Sequence, residues 1–232
     1  MALRYDEWLP DPALRGPVTA YWRVLGEAEG VPNPTVLPDG HIEIVFNRGD
    51  EVALSGPAFT GPQPPRCVVG LLSHALRMEY RGAVDTFGIR LHAARGAAFL
   101  GRKATALADA LLPLAQVSPA LDAAVASIVD RKFSPENPDD LSALERALAQ
   151  QAPRGTPPDE PIVAVVARLE RDTTSPEVSE LARELGLSAR QLQRRFIAAV
   201  GLAPKRFVRV LRFARVWQVA TMQPVDTWAK LA

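Results

Sequence analysis

The stretch of sequence that decides the fold is residues 175–223, SPEVSELARELGLSARQLQRRFIAAVGLAPKRFVRVLRFARVWQVATMQ. Apolar residues recur there at helical spacing in three successive segments, and two short turns separate the segments. The pattern predicts a short helix, a second short helix over 189–199, and a long basic helix from Pro204 to about Met222.

Capping signals mark the ends of the two short helices. Ser175 is placed to cap the first helix, and Pro176 follows at the first helical position, where its missing N–H costs nothing. Gly186 stands where a left-handed residue would end that helix, and Ser188 is placed to cap the next one. One face of the first helix is apolar: Val178, Leu181, Ala182 and Leu185.

The two short helices and their tight turn predict a helix-turn-helix, a unit that lays its second helix in the major groove of DNA. Three apolar residues share one face of this second helix: Leu192, Phe196 and Ala199. Four residues that can hydrogen-bond to base edges lie on the opposite face and its flanks: Arg190, Gln191, Gln193 and Arg194. The alternative is a solvated polar face on an ordinary core helix.

Charge favours the DNA-binding interpretation. Residues 183–215 hold nine basic residues and one acid, Glu184, which is a local net charge of +8. Because the whole chain carries +1, the remainder carries −7. A surface that faces phosphates needs such a concentration of cations.

A family resemblance rests on several short motifs at matching spacings: Leu181-Ala182, Gly186-Leu187-Ser188, the 192–196 frame with Arg194 and Arg195 inside it, Gly201-Leu202-Ala203-Pro204, Val210-Leu211-Arg212 to Ala214, and Ala220. In these motifs the segment resembles the first half of an AraC-type DNA-binding domain. That family joins two helix-turn-helix units by one long helix, here 204–222. Residues 225–232, with Trp228 and Leu231, resemble the opening of the second unit, which implies a domain incomplete at its C-terminus.

The resemblance also implies roles for particular residues. Base edges are expected to be read from Arg190, Gln193 and Arg194, with Gln191 beside them. Phosphate contacts are assigned to a second group: Ser188, Arg195, Lys205, Arg206 and Arg212. Arg212 has a structural hydrogen-bonding role as its alternative. The expected partner is double-stranded DNA.

The N-terminal part, 1–92, has the spacing of short strands joined by glycine- and proline-rich turns. Strands are predicted at 18–25, 41–46, 52–54, 67–72, 75–80 and 84–91, with Arg81-Gly82 as a hairpin turn. In the first, Val18, Ala20, Trp22 and Val24 are expected on one face. The overall prediction is an α+β protein, with a small N-terminal β-barrel and flanking helices before an all-α domain.

This half resembles, over shorter stretches, the cupin-like domain that precedes many AraC-type DNA-binding domains. The stretches are 37–46 (LPDGHIEIVF), Ser55-Gly56-Pro57, and Phe87-Gly88-Ile89-Arg90-Leu91 leading to Ala98–Gly101. The resemblance implies sensing of a small-molecule effector or formation of a homodimer. It implies no cofactor and leaves the effector-binding residues unknown.

Helical spacing returns between 93 and 150, with apolar stripes at Leu121, Ala124, Val125 and Ile128, and at Leu141, Leu144 and Leu148. The stripes pack either within the chain or against a second subunit. The proline-rich segment 151–161 divides a sensor or dimerisation domain, 1–150, from a DNA-binding domain, 162–232. The latter opens with a helix whose Ile162, Val165, Val166 and Leu169 face inward.

Several classes of protein are disfavoured. Cys67 is the one cysteine, so no internal disulfide forms. No signal peptide is visible, and no apolar run approaches the ~20 residues of a membrane helix. A cytoplasmic protein without a membrane partner is therefore expected.

Enzymatic chemistry finds little support in the residues. His41 and Glu43 share a strand face as metal ligands in cupins do, but the second histidine of that signature is missing, so exposed strand residues are the favoured interpretation. Cys67 lies in an apolar strand and is expected to be buried. We therefore expect no metal, no catalytic residues and no enzyme. Two alternatives remain open: a truncated regulator that retains only sensing or dimerisation, and a metal-dependent cupin-type enzyme fused to a DNA-binding module.

Overall fold

The computed structural model describes residues 3–28, 35–57, 59–130, 133–151, 157–172 and 176–222. The strands of the described residues all lie in the first half of the chain: β1 (Arg4–Trp8), β2 (Val18–Glu27), β3 (Thr35–Val36), β4 (Ile42–Asn47), β5 (Val52–Ser55), β6 (Thr60–Pro62), β7 (Arg66–Val69), β8 (Leu76–Tyr80), β9 (Ala83–Leu91) and β10 (Leu111–Pro113). The described helices are α1 (Gly96–Phe99), α2 (Ala104–Leu107), α3 (Leu114–Val117), α4 (Pro119–Val129), α5 (Pro138–Gln151), α6 (Glu160–Arg171), α7 (Val178–Glu184), α8 (Ala189–Val200) and α9 (Pro204–Met222). This arrangement is α+β, as predicted.

The strands form two antiparallel sheets, so the predicted barrel is not closed. The larger sheet has the order β1-β2-β9-β4-β7-β10, and the smaller sheet has the order β3-β8-β5-β6. The predicted hairpin at Arg81-Gly82 is wrong, because β8 lies in the smaller sheet and β9 in the larger one. Gly82 adopts a φ of 80° in this turn, which carries the chain from one sheet to the other.

A β-bulge in β2 changes which of its side chains are buried. The register against β9 shifts between Val18 and Ala20, so the simple alternation of faces is interrupted. Tyr21 is consequently fully buried and stacks on Phe87 with ring centroids 6.1 Å apart. The predicted face of Val18, Ala20, Trp22 and Val24 is therefore wrong beyond the bulge, where Trp22 and Val24 are only half-buried.

Helices α4 and α5, which follow the strands in sequence and precede the C-terminal segment, pack within the chain. Leu121, Val125 and Val129 of α4 and Leu144 and Leu148 of α5 are all buried, and α4 lies against α5. These residues belong to one buried cluster that also contains the inner face of the larger sheet. The structure thus shows the first of the two alternatives for these stripes.

The same cluster continues into the C-terminal helices, where it includes Phe196 of α8 and Phe207 of α9. Two glycines allow this close approach. A Cβ on Gly201 would lie 2.5 Å from the carbonyl oxygen of Ala104, and one on Gly40 would lie 2.8 Å from Leu211 Cδ2. The two halves therefore share one apolar core. Of the predicted linker, residues 152–156 lie outside the described residues.

Within the described ranges, no helix combines the length and the apolar character needed to cross a membrane.

Candidate nucleic-acid interface

A helix-turn-helix is formed by α7 and α8. The turn begins at Gly186, whose φ is 64°; its N–H donates to Arg183 O (3.1 Å), and the N–H of Leu187 donates to Ala182 O (2.8 Å). This pair of hydrogen bonds is a Schellman motif, which satisfies the last carbonyls of α7 and stops the helix. The predicted cap Ser175 lies outside the described residues, and α7 begins two residues later than Pro176, at Val178.

Ser188 and Gln191 together start α8. The Ser188 hydroxyl oxygen accepts a hydrogen bond from the Gln191 N–H (3.3 Å), and Gln191 Oε1 accepts one from the Ser188 N–H (2.8 Å). This reciprocal arrangement is a capping box. Both residues were predicted to contact DNA, but in this structure their oxygens hold the start of the helix.

The outer face of α8 carries the other predicted base-contacting residues. Arg190, Gln193 and Arg194 are exposed, and with the capping pair they line a shallow groove of about 460 Å³. The inner face is fixed by buried Leu192, Phe196 and Val200. The Phe196 ring lies 5.6 Å from that of Phe207 on α9, between centroids. Packing on one side thus leaves three long polar side chains together on the other.

Arg195 is turned away from this groove. Its Nε and Nη2 donate to the two carboxylate oxygens of Asp159, at 2.7 and 2.6 Å. Asp159 also caps α6 by accepting from the Ile162 N–H, and the Arg195 hydrogen bonds lower the pKa of its carboxyl. Arg195, a predicted phosphate contact, forms a bidentate ion pair within the chain.

The basic residues of α9 are distributed over several faces. Lys205 and Arg212 are exposed, whereas Arg206 is half-buried and its Nη2 lies 3.3 Å from Asp109 Oδ2. Arg215 donates to the carbonyl oxygens of Leu169 and Glu170 at the end of α6. The first residue of the long helix that can reach outward beside α8 is therefore Lys205.

The candidate metal ligands of the N-terminal half, His41 and Glu43, are largely buried. His41 and Glu43 share a face with Val45, which belongs to a second buried cluster that also includes Leu54 and Leu76 of the smaller sheet. The favoured interpretation of exposed strand residues is wrong: the side chains of Glu43 and His41 are only 17% and 25% exposed. The sequence pattern could not show that side chains distant in sequence, such as Trp22 and Arg90, surround Glu43.

Glu43 is held by neighbouring side chains. Its Oε1 accepts hydrogen bonds from Trp22 Nε1 (3.0 Å) and Arg90 Nε (3.2 Å). Burial raises the pKa of Glu43 to about 7, and the negative charge of Asp39 adds to that shift, while Arg90 opposes it. His41 Nδ1 lies 3.5 Å from Asp39 Oδ2.

Among the described residues, no three His, Cys, Asp or Glu side chains are grouped so as to hold a metal ion. The metal-enzyme alternative gains no support from these residues. Cys67 is buried as expected, and burial raises the pKa of its thiol to about 12. A buried neutral thiol of this kind is a poor nucleophile.

One polar cluster was missed by the sequence analysis. Ser73 Oγ lies 2.7 and 2.8 Å from the carboxylate oxygens of Asp109, and 3.2 Å from His74 Nδ1. In a catalytic triad the histidine stands between the serine and the carboxylate. Here the serine bonds the carboxylate directly, so these contacts are not those of an acyl-transfer site. The sequence separation of 36 between Ser73 and Asp109 hid the cluster from sequence reasoning.

Comparison with known proteins gives limited matches. Residues 6–113, less than half of the chain, match the model of a domain of unknown function (DUF6597). That region runs from within β1 to the end of β10 and contains both sheets except for the first two residues of β1. No curated protein matches the sequence.

The solved structures that match include two similar regulators. The AraC-like transcriptional activator CuxR is 13% identical, over 93% of this chain and 86% of that chain, with a TM-score of 0.33. ToxT from Vibrio cholerae is 8% identical, over 90% of this chain and 98% of that chain, with a TM-score of 0.23. Likenesses this distant carry no argument about function.

Proposed function

We propose that the chain is a sequence-specific DNA-binding transcriptional regulator of the AraC type, which reads the major groove with α8. The observation that carries the proposal is the outer face of α8. Arg190, Gln193 and Arg194 stand exposed together on the second helix of a helix-turn-helix, while the remaining arginine of that helix is paired internally. Arginine can bond guanine bidentately and glutamine can do so with adenine, which suits base readout.

Electrostatics supports the same function. The high positive charge of residues 183–215, at +8, would draw this part of the protein to the phosphate backbone. Lys205, at the start of α9, is the phosphate contact that the geometry favours most, because it is exposed at the helix end that follows α8. The N-terminal half is assigned sensing or dimerisation, and its shared core with α8 and α9 would transmit either event to the reading helix.

The proposal is tested by selecting bound duplexes from a random DNA library and measuring affinity by fluorescence anisotropy at a fixed salt concentration. Arg194→Ala should weaken binding to the selected sequence by about 1–3 kcal/mol and relax specificity at one base pair. Arg146→Ala on α5, exposed and in the other half of the chain, is the matched control and should bind as wild type does. Failure of the selection to enrich any sequence, or an unchanged affinity in Arg194→Ala, would refute the proposal.

A further inference from the structure

A cleft of about 580 Å³ lies where α9 meets the N-terminal half. On one side it is bounded by Pro38 and by the loop that leads into β8, and on the other by α9. Eight residues line it: Pro38, Ser73, His74, Ala75, Arg206, Arg209, Val210 and Phe213. None of them belongs to the outer face of α8, so the cleft is separate from the candidate DNA interface.

Asp109 links the two sides of this cleft, because it contacts Ser73 on the loop and Arg206 on α9. Its φ of 51° makes it the one described non-glycine residue with a left-handed backbone. Its carboxylate accepts hydrogen bonds from the backbone N–H and the hydroxyl of Ser73, at 2.7 and 2.7–2.8 Å, and lies 3.3 Å from Arg206 Nη2. A residue kept in a sparsely populated conformation points to a functional constraint at that place. The consequence here is that Ser73 and Arg206 are held in fixed positions.

The lining of the cleft has an excess of positive charge. No acidic residue is among the eight that line it, and the Asp109 carboxylate is already occupied by Ser73 and Arg206. Arg209 is exposed and makes no ion pair or hydrogen bond with any residue in the described part of the chain. Arg209 and Arg206 together therefore offer guanidinium donors to an anion that enters the cleft.

Four of the other lining residues are apolar, Pro38, Ala75, Val210 and Phe213, and the remaining two are Ser73 and His74. Phe213 stands one helical turn beyond Arg209 and remains 45% exposed, which is unusual for so large an apolar side chain. Val210 and Pro38 are buried, and Ala75 lies in the loop that leads into β8. Few polar groups set in a mostly apolar concave surface are typical of small-molecule sites.

We propose that this cleft binds a small organic anion. Its carboxylate lies between Arg206 and Arg209, and its apolar body rests on Phe213 and Val210. The inference goes beyond DNA recognition and does not depend on it, since neither the cleft nor its test involves DNA.

Isothermal titration calorimetry of the full chain with 2-naphthoate tests the proposal. Two further titrations separate the two parts of the ligand: 2-naphthamide keeps the apolar body without the charge, and acetate keeps the charge without the body. We expect saturable binding of 2-naphthoate with a Kd of about 1 mM or tighter, and binding of the other two weaker by about tenfold or more.

Variants locate the binding on the protein. Arg209→Gln and Phe213→Ser each change an exposed side chain, so both should fold, as circular dichroism would verify. Each should weaken the binding of 2-naphthoate by about tenfold. Arg209→Gln loses a charge-assisted hydrogen bond, and Phe213→Ser loses an apolar contact. Lys205→Gln on the same helix is the control and should bind unchanged. Absence of saturable binding up to about 10 mM, or equal affinity in wild type, Arg209→Gln and Phe213→Ser, would overturn the proposal.

Discussion

Arg195 on α8 and Asp159 at the start of α6 form a bidentate ion pair, with N–O distances of 2.7 and 2.6 Å. The pair fixes α8 to α6, the first helix of the C-terminal segment. Because the same carboxylate caps α6, two kinds of contact depend on one residue.

Substitution of Asp159 should separate those two contacts. Asp159→Ala removes the cap and the ion pair and should lower the free energy of unfolding by about 1–2 kcal/mol. Asp159→Asn retains a capping oxygen and should lower the free energy of unfolding by less. Urea unfolding of the three proteins at neutral pH measures the difference. Equal stability of wild type and Asp159→Ala would contradict the assignment.

The Asp159 pair also makes a prediction about pH. Its hydrogen bonds from Arg195 lower the pKa of the carboxyl below the ordinary 3.8. The stabilisation is therefore present above pH 3.8 and is lost as the pH falls through the folded-state pKa. The stability advantage of wild type over Asp159→Asn should shrink as acid is added, and a constant advantage down to pH 3 would show that the charge is irrelevant.

Gly201 and Gly186 form a matched pair for testing the junction between the halves. Both end a helix with a positive φ, 89° and 64°, but a Cβ on Gly186 meets nothing within 4 Å. Gly186→Ala should therefore cost only the backbone strain, about 1–2 kcal/mol. Gly201→Ala should cost about 3 kcal/mol or more, because the added methyl also overlaps the Ala104 carbonyl.

Chemical denaturation of both glycine variants, followed by far-UV circular dichroism, compares these costs directly. Similar losses in the two would mean that the contact between α8 and α2 is not tight in solution.

Glu43 should make stability fall as the pH rises. Burial raises its folded pKa to about 7, against an ordinary value of 4.5, so its favourable contribution is complete below pH 4.5 and is lost as the pH rises through 7. Glu43→Gln does not titrate. Relative to wild type, the variant should gain about 1–3 kcal/mol of stability between pH 4.5 and pH 8. Urea midpoints at the two pH values give the difference, and a pH-independent difference would count against a buried carboxylate.

DNA binding should separate phosphate contacts from base contacts. Lys205→Ala should weaken binding to all duplexes alike and reduce the slope of log K against log salt by about one. Arg194→Ala should change the sequence preference and leave that slope nearly unchanged on unselected DNA. Anisotropy titrations between low and moderate salt measure both quantities. If Lys205→Ala altered the preferred sequence, its assignment as a phosphate contact would be wrong.

The C-terminal helices were predictable because their boundaries are set by neighbouring residues. Gly186, Ser188, Gly201 and Pro204 act on the turns in which they stand, and α8 and α9 begin and end within one residue of the predicted positions. The predicted inward residues of α6, from Ile162 to Leu169, are likewise buried.

The pairing of strands was less predictable, since it depends on residues distant in sequence. The turn at Arg81-Gly82 has a hairpin composition, yet it joins strands of different sheets. The bulge near Val18 adds one residue that apolar alternation cannot reveal. In the candidate site, the partner of Arg195 stands 36 residues away, so its internal ion pair could not be inferred from spacing on α8.

At Gly40 and Gly201 there is no room for a Cβ, because an atom of the other half of the chain lies too close. This has a consequence for protein engineering. Regulators are often recombined by joining the sensing half of one to the DNA-reading half of another. In this chain, a transplanted C-terminal segment would have to bring a glycine to meet Ala104, and the receiving half would have to keep one opposite Leu211. Chimeras that respect both positions should fold, while those that match only the joining segment should fail at the contact surface.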